Sequence, residues 1–262
     1  MSALIETNEV TKRYGGSLGP ALDRLSISVG CGEVLGLVGP NGAGKTTTVL
    51  MLAGLLKPSS GVLRVLGREV RAGLGDPRVG LVSGSLEDFD YLTGAESILL
   101  GGRLLGLSGA EAGRRTDALL KAFDLEGAEN NLTTTYSSGM KQKVRICCAL
   151  VGEPQVLLLD EPFEALDIHA CAVLSGIVEQ FTAAGGATLL CSHDLRMVER
   201  LATHYAILQA GQLQEMAPMK SLAAGAPGGA PARPALEQRF WEVTGAPPAP
   251  ELDWLNPGGA GR

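Results

Sequence analysis

The chain has 262 residues, which allows one large domain or one domain with appendages. Hydrophobic residues make up 45% and aromatics 4%, so a sizeable core must be packed mainly with aliphatic side chains. The net charge of −6 argues against bulk electrostatic binding of nucleic acid, and five cysteines without CxxC spacing argue against a disulfide framework or a zinc site and for a reducing compartment.

The opening MSALIETNEVTKRY contains no long apolar run, so no secretory signal is expected. No stretch approaches the roughly 20 apolar residues that span a bilayer. Apolar positions outline strands at Ile5–Val10 and Leu25–Val29. The run Val34–Val38 meets a glycine-rich turn and then a helical stretch, Thr46–Leu56. Val79, Leu81 and Val82 begin a buried strand that falls into the small polar run Ser83-Gly84-Ser85. Glu96–Phe123 reads as helix broken at residues 107–109, where Ser108 and Glu111 have the spacing of a capping box. A further helix is expected at about Gly139–Val151, and Val156–Leu159 reads as a strand buried on both faces.

Next come a helix with Val173, Leu174, Ile177, Val178 and Phe181 on one face, and a strand at Thr188–Cys191. A short helix (Leu195–Leu201) and a strand (Tyr205–Leu208) follow. Strands alternating with helices predict an α/β fold with a mostly parallel sheet. The insertion at about 94–152 reads as a mainly helical lobe of a domain spanning 1–222. Residues 223–234, rich in Ala, Gly and Pro, read as a flexible linker. Residues 235–245 read as a short helix, either a cap docked on the domain or a contact for a partner, and 246–262 as a loose tail.

The strongest chemical signal is GPNGAGKTT: Gly39, Pro40, Asn41, Gly42, Ala43, Gly44, Lys45, Thr46 and Thr47. It fits G-x-x-x-x-G-K-[ST] between a strand and a helix. The glycines let several backbone N–H groups point into one concavity, which favours phosphate together with the positive helix end. Lys45 would reach the β and γ phosphates and Thr46 would ligate Mg²⁺. VLLLDEP supplies the complement. Asp160, at the end of a buried strand, can hold Mg²⁺, and Glu161 can orient or deprotonate an attacking water. ATP and Mg²⁺ are the cofactors this pair of motifs implies.

The order of motifs over roughly residues 4–215 resembles the ATP-binding subunit of an ABC (ATP-binding cassette) transporter. TYSSGMKQKV resembles the ABC signature, with Tyr136-Ser137-Ser138-Gly139-Met140 in place of Leu-Ser-Gly-Gly-Gln. EALD, Glu164–Asp167, resembles the D-loop. CSHDL sets His193 as the switch histidine, and Tyr14 in KRYGG resembles the aromatic that stacks on adenine.

This resemblance implies a P-loop NTPase core with an N-terminal antiparallel β subdomain and a helical signature subdomain. It implies a head-to-tail pair in which ATP on one subunit's phosphate loop is covered by the other's Ser137 and Gly139. Asp167 couples the two sites or caps the following helix. A transmembrane permease, a second ATP-binding subunit and a position on the cytoplasmic face of the membrane are implied; nucleic acid is not. The signature form, YLTGAES and the tail ALEQRFWEVTG resemble the exporter branch with separately encoded permeases. Aligned on the family's Q-loop, its usual glutamine falls at Gly84, which has no side chain for metal or water. The alternatives are therefore a hydrolysis-impaired regulatory cassette of a heterodimer and, further off, a soluble ABC ATPase on ribosomes or DNA. Phe89–Thr93 looks suited to a permease contact. Lys141, Lys143 and Arg145 read as a solvated helix face rather than as phosphate ligands, and Cys147-Cys148 as small buried hydrophobes.

Overall fold

The computed structural model describes residues 3–16, 19–84, 91–225 and 234–246. In chain order its elements are β1 (Ala3–Lys12), β2 (Leu22–Leu25), β3 (Ser28–Gly30), β4 (Val34–Val38), α1 (Lys45–Leu52), β5 (Ser60–Val65), β6 (Arg68–Glu69) and β7 (Val79–Ser83). A helical insertion follows: α2 (Gly94–Leu104), α3 (Gly109–Ala122) and α4 (Ser138–Leu150). The chain returns through β8 (Val156–Asp160), α5 (Ile168–Ala183), β9 (Ala187–Cys191), α6 (Leu195–Leu201), β10 (His204–Gln209), β11 (Gln212–Pro218) and α7 (Ala235–Thr244).

Two sheets result. The first is antiparallel, in the order β2-β1-β5-β6 with β3 also on β1. The second runs β11-β10-β4-β9-β8-β7, parallel throughout except for the β10–β11 pair. β4, β8 and β9 are buried at every position because both faces are covered. Leu157 and Leu159 point into a layer shared with Val144, Ile146, Leu174 and Val178. Val156 and Leu158 point the other way, against Val49, Met51, Leu63 and Val65. The period of two along one strand thus feeds two cores.

The segment expected as one strand at Leu25–Val29 is two. The Thr7 side chain takes the Ile27 N–H at 2.9 Å and donates to the Leu25 carbonyl at 3.1 Å, so the ladder with β1 is interrupted between β2 and β3. The helix expected to reach Leu56 stops at Leu52, where Gly54 turns the chain at φ +74°. Ser108 does cap α3 by accepting the Glu111 N–H, but the Glu111 carboxylate pairs with Arg114 and Arg115 instead of closing the box. The complete capping box is at Thr93 and Glu96, opening α2 (3.1 and 2.8 Å). α7 docks on the domain: Leu236 is fully buried and Arg239 pairs with Glu215 of β11 at 2.6 Å. Most of the expected linker (226–233) and tail (247–262) lies outside the described residues.

Candidate functional site

The registers bring four strand ends together. Ser83 lies beside Asp160, Asp160 beside Cys191, and Leu37 beside Cys191. Residues 39–44, 83–84, 160–161 and 192–194 therefore line one edge of the sheet. In open α/β sheets this carboxyl edge is where ligands bind.

The loop between β4 and α1 has the shape its glycines predict. Gly44 sits at φ +109°, and a Cβ there would lie 2.6 Å from Leu22 Cδ2 and 2.7 Å from the Ala21 carbonyl oxygen. No acidic residue stands in the first turn of α1, and no side chain caps it. Its leading N–H groups are thus free of a competing side-chain acceptor, which suits an anion. Lys45 is buried, and its ammonium donates to the carbonyls of Gly39 (2.7 Å) and Pro40 (3.4 Å) across the loop. Ala43 is buried beneath, its N–H bonded to the Pro40 carbonyl, while Asn41 and Gly42 are exposed. The Tyr14 hydroxyl lies 3.3 Å from Thr47 Oγ1, with the ring 44% exposed beside the loop and the Lys12 ammonium 5.2 Å from its centroid.

Asp160 ends β8 almost out of solvent. Burial pushes its pKa up, and the Thr46 and Ser83 hydroxyls oppose that by bonding the carboxylate. Ser83 Oγ donates to Oδ2 at 3.2 Å, while Oδ1 is buried with no partner among the described residues. An orphaned carboxylate oxygen beside the Thr46 hydroxyl is a fitting place for Mg²⁺, which keeps several waters and needs few protein ligands. Among the described residues no group of three or more His, Cys, Asp or Glu forms a closed metal cage.

Glu161 adopts the left-handed region at φ +50°. Residues held there against steric preference concentrate at functional sites. The turn aims its carboxylate at the loop after β9. There Oε2 accepts from Ser192 Oγ (3.2 Å) and the His193 N–H (3.2 Å), and lies 2.9 Å from His193 Nδ1. A proton on Nδ1 makes that third contact a donation and fixes the imidazole's orientation.

Ser137, Gly139 and Asp167 form a second group around the start of α4. Ser137 Oγ caps the helix through the Met140 N–H at 3.2 Å, and Ser138, its first residue, keeps an ordinary negative φ. Gly139 has a packing reason to be glycine: a Cβ would lie 2.5 Å from the Ala165 carbonyl oxygen. Asp167 caps α5 through the Ala170 N–H (2.8 Å) and pairs with Lys143 Nζ (2.8 Å), which holds its carboxyl below the usual carboxylate range.

The expected solvated face is therefore corrected. The Lys143 side chain is only 9% exposed, because the 164–167 turn folds over α4, and Lys141 and Arg145 are half-buried. Cys147 is buried as expected and Cys148 is partly so. Ser83, first of the small polar residues after the apolar start of β7, turns toward the Asp160 carboxylate, as the strand register places it. Sequence reasoning missed Gln142, whose amide donates to the Pro162 carbonyl at 3.1 Å. It also missed that α7 reaches the site: Phe240, Trp241 and Thr244 share a cleft of about 430 Å³ with Pro40, Asn41 and His193. Ser85, Glu87 and Phe89 lie outside the described residues; Tyr91 is 93% exposed at the entry to α2.

Known proteins resemble this chain in sequence and in fold. The profile of the ABC transporter family matches residues 22–164. The daunorubicin/doxorubicin resistance ATP-binding protein DrrA of Streptomyces peucetius is 38% identical over 211 residues, covering 80% of this chain and 63% of that protein. The chain thus spans less than two thirds of that relative's length. The Nod factor export ATP-binding protein I of Cupriavidus metallidurans is 35% identical over 218 residues, 81% of this chain and 70% of that protein. A solved ATP-binding subunit of an ABC transporter superposes with a TM-score of 0.81 at 30% identity, covering 92% of this chain and 99% of that one. An ATP-binding cassette solved as a post-hydrolysis dimer with ADP and Pi shares the fold, with a TM-score of 0.73 at 24% identity, covering 82% and 98%.

Proposed function

We propose, since the chain belongs to the ABC transporter family, that it binds and hydrolyses Mg-ATP as one half of a head-to-tail pair and drives a separate membrane permease. The observation that carries this reading is the single edge that holds the phosphate loop, the orphaned Asp160 oxygen and the Glu161–His193 pair.

Each step follows from residues in place. The N–H groups of residues 42–46 and the Lys45 ammonium bind the phosphates, with Lys45 leaving its two carbonyl acceptors to do so. Tyr14 offers its exposed ring to the base. Thr46 and Asp160 would hold Mg²⁺, which neutralises charge on the β and γ oxygens when bound. Glu161 then accepts a proton from the attacking water at its carboxylate. His193, held by Glu161 Oε2, keeps that carboxylate aimed beside the γ phosphate. Ser137 and the Gly139 N–H serve the nucleotide of the second subunit, as a helix N-terminus can.

The relatives named for drug resistance and for Nod factor export support an exporter. Among the described residues no helix is long and apolar enough to cross a membrane; the reading places the permease on a separate chain and this chain at the cytoplasmic face of the membrane. Gly84 favours a second reading, a slow cassette paired with a faster one. Phosphate release from the purified chain with Mg-ATP tests the proposal. Steady turnover that Glu161→Gln abolishes supports it; no turnover with tight ATP binding favours the second reading, and no ATP binding refutes both.

A further inference from the structure

Gly84 follows β7 at the catalytic edge, and a Cβ built there meets nothing within 4 Å. The space belongs to a cleft of about 480 Å³ that Gly84 shares with Thr46, Asp160, Glu161 and Glu164. Its opposite wall is α4. Ser138, Gln142 and Arg145 line it, at i, i+4 and i+7, so one helical face looks into the cleft. Gln142 is anchored: its amide donates to the Pro162 carbonyl (3.1 Å) and its Oε1 accepts from Arg145 Nη1 (3.3 Å). A fixed amide thus steers the Arg145 guanidinium on a wall facing the metal carboxylate and the general base.

The charges make that placement consequential. Asp160, Glu161 and Glu164 are three acids, and Arg145 is the one cation among the described residues lining this cleft. A γ phosphate entering it meets two carboxylates, Glu161 and Glu164, that a cation at Asp160 does not offset. Lys45 meets the phosphates from the loop side and does not line this cleft, so on the α4 side the carboxylates face the phosphate with Arg145 as their counter-charge. A guanidinium presents several N–H donors in a planar fork matched to phosphate oxygens and stays charged at any working pH.

We propose that Arg145 contacts the γ phosphate from α4, filling the polar role that position 84 leaves vacant and offsetting the carboxylates around it. The proposal rests on the ATPase reading above and assigns that site one more residue. Arg145 distinguishes ATP from ADP, because only the third phosphate reaches it. Since α4 also carries the signature, the contact ties the helical lobe to the presence of the γ phosphate.

The test compares the full chain with Arg145→Ala, Arg145→Lys, Gly84→Gln and the Gly84→Gln/Arg145→Ala double variant, in Mg²⁺. Binding is measured for ATP and ADP by calorimetry, using the Glu161→Gln background for ATP. Arg145→Ala is expected to weaken ATP about 10-fold, leave ADP unchanged and lower turnover by about 10²-fold, the usual loss for one preorganised donor. Arg145→Lys keeps the charge without the fork and should fall between. Gly84→Gln should restore part of the turnover that Arg145→Ala removes, which a merely structural arginine would not allow. Equal changes for ATP and ADP, no change for either, or strictly additive effects in the double variant overturn the proposal. Failure of the parent reading looks different: unsubstituted protein that binds no ATP. A chain that binds ATP without turning it over still gives the ATP–ADP comparison. If Arg145→Ala unfolds, Arg145→Lys carries the same comparison.

Discussion

Replacing Asp160 by asparagine should make the empty protein more stable and the nucleotide-loaded protein less so. The carboxylate is almost wholly buried, and one oxygen has no hydrogen-bond partner among the described residues. Burial raises its pKa, with the Thr46 and Ser83 hydroxyls opposing. A carboxyl raised on folding favours the protonated fold. That advantage is complete below the unfolded value near ~4 and is lost as pH rises through the folded value. Above that folded value the empty site bears a buried, ionised carboxylate. Asparagine keeps one acceptor for the hydroxyls and replaces the ionised carboxylate with a neutral amide, a gain of about 1–2 kcal/mol from relieving the desolvation of the charged form. At about 2–4 °C per kcal/mol for a domain of this size, melting should rise by roughly 2–8 °C in EDTA at a pH above the folded value. The difference should vanish near pH 4. With Mg-ATP at 100 times its dissociation constant, the unsubstituted chain gains about 2.7 kcal/mol by linkage, and Asp160→Asn should lose most of that gain. Scanning calorimetry in both conditions reads the two signs. A variant less stable when empty, or one that keeps the full Mg-ATP gain, would refute the assignment of Asp160 as a strained metal ligand.

Other outcomes follow from the packing. Leu236→Ala should cost about 2–5 kcal/mol, as truncation of a fully buried leucine does, and detach α7; urea melts and Trp241 fluorescence check both. Asp167's pKa is lowered by Lys143, so their pairing stabilises above the ordinary carboxylate range near ~4 and is lost as pH falls through the folded value. Lys143→Met should therefore flatten that acid limb of the stability curve, as measured by melting between pH 2 and 7. Expressed alone, the chain should stay out of the membrane fraction, and it should enter that fraction when its permease is co-expressed. Membrane association of the isolated chain would contradict docking through a permease.

The parallel core was legible because its signal is dense. Val34–Val38 and Val156–Leu159 are apolar runs ending at the glycine-rich loop and at Asp160, and the structure buries every one of those residues. The antiparallel edge was harder. β11, QLQEMAP, carries an alternation of half-buried and exposed positions that a search for apolar runs passes over. β2 and β3 merged because the break between them is made by Thr7, twenty residues away from Ile27, and no local pattern encodes it. Lys143 looked solvated because helix periodicity cannot show that the 164–167 turn folds over it. The same blindness hid α7 beside His193 and Arg145 opposite Gly84. Each is a meeting of distant segments, and only the sheet register brings them together.

The central claim is that ATP holds two copies of this site together and that Glu161 releases them. The direct measurement is the mass in solution of the Glu161→Gln chain by light scattering on a sizing column, with and without saturating Mg-ATP. The account predicts about one 27.1 kDa chain without nucleotide, two with Mg-ATP, and one again with Mg-ADP. A single chain at saturating Mg-ATP would contradict it.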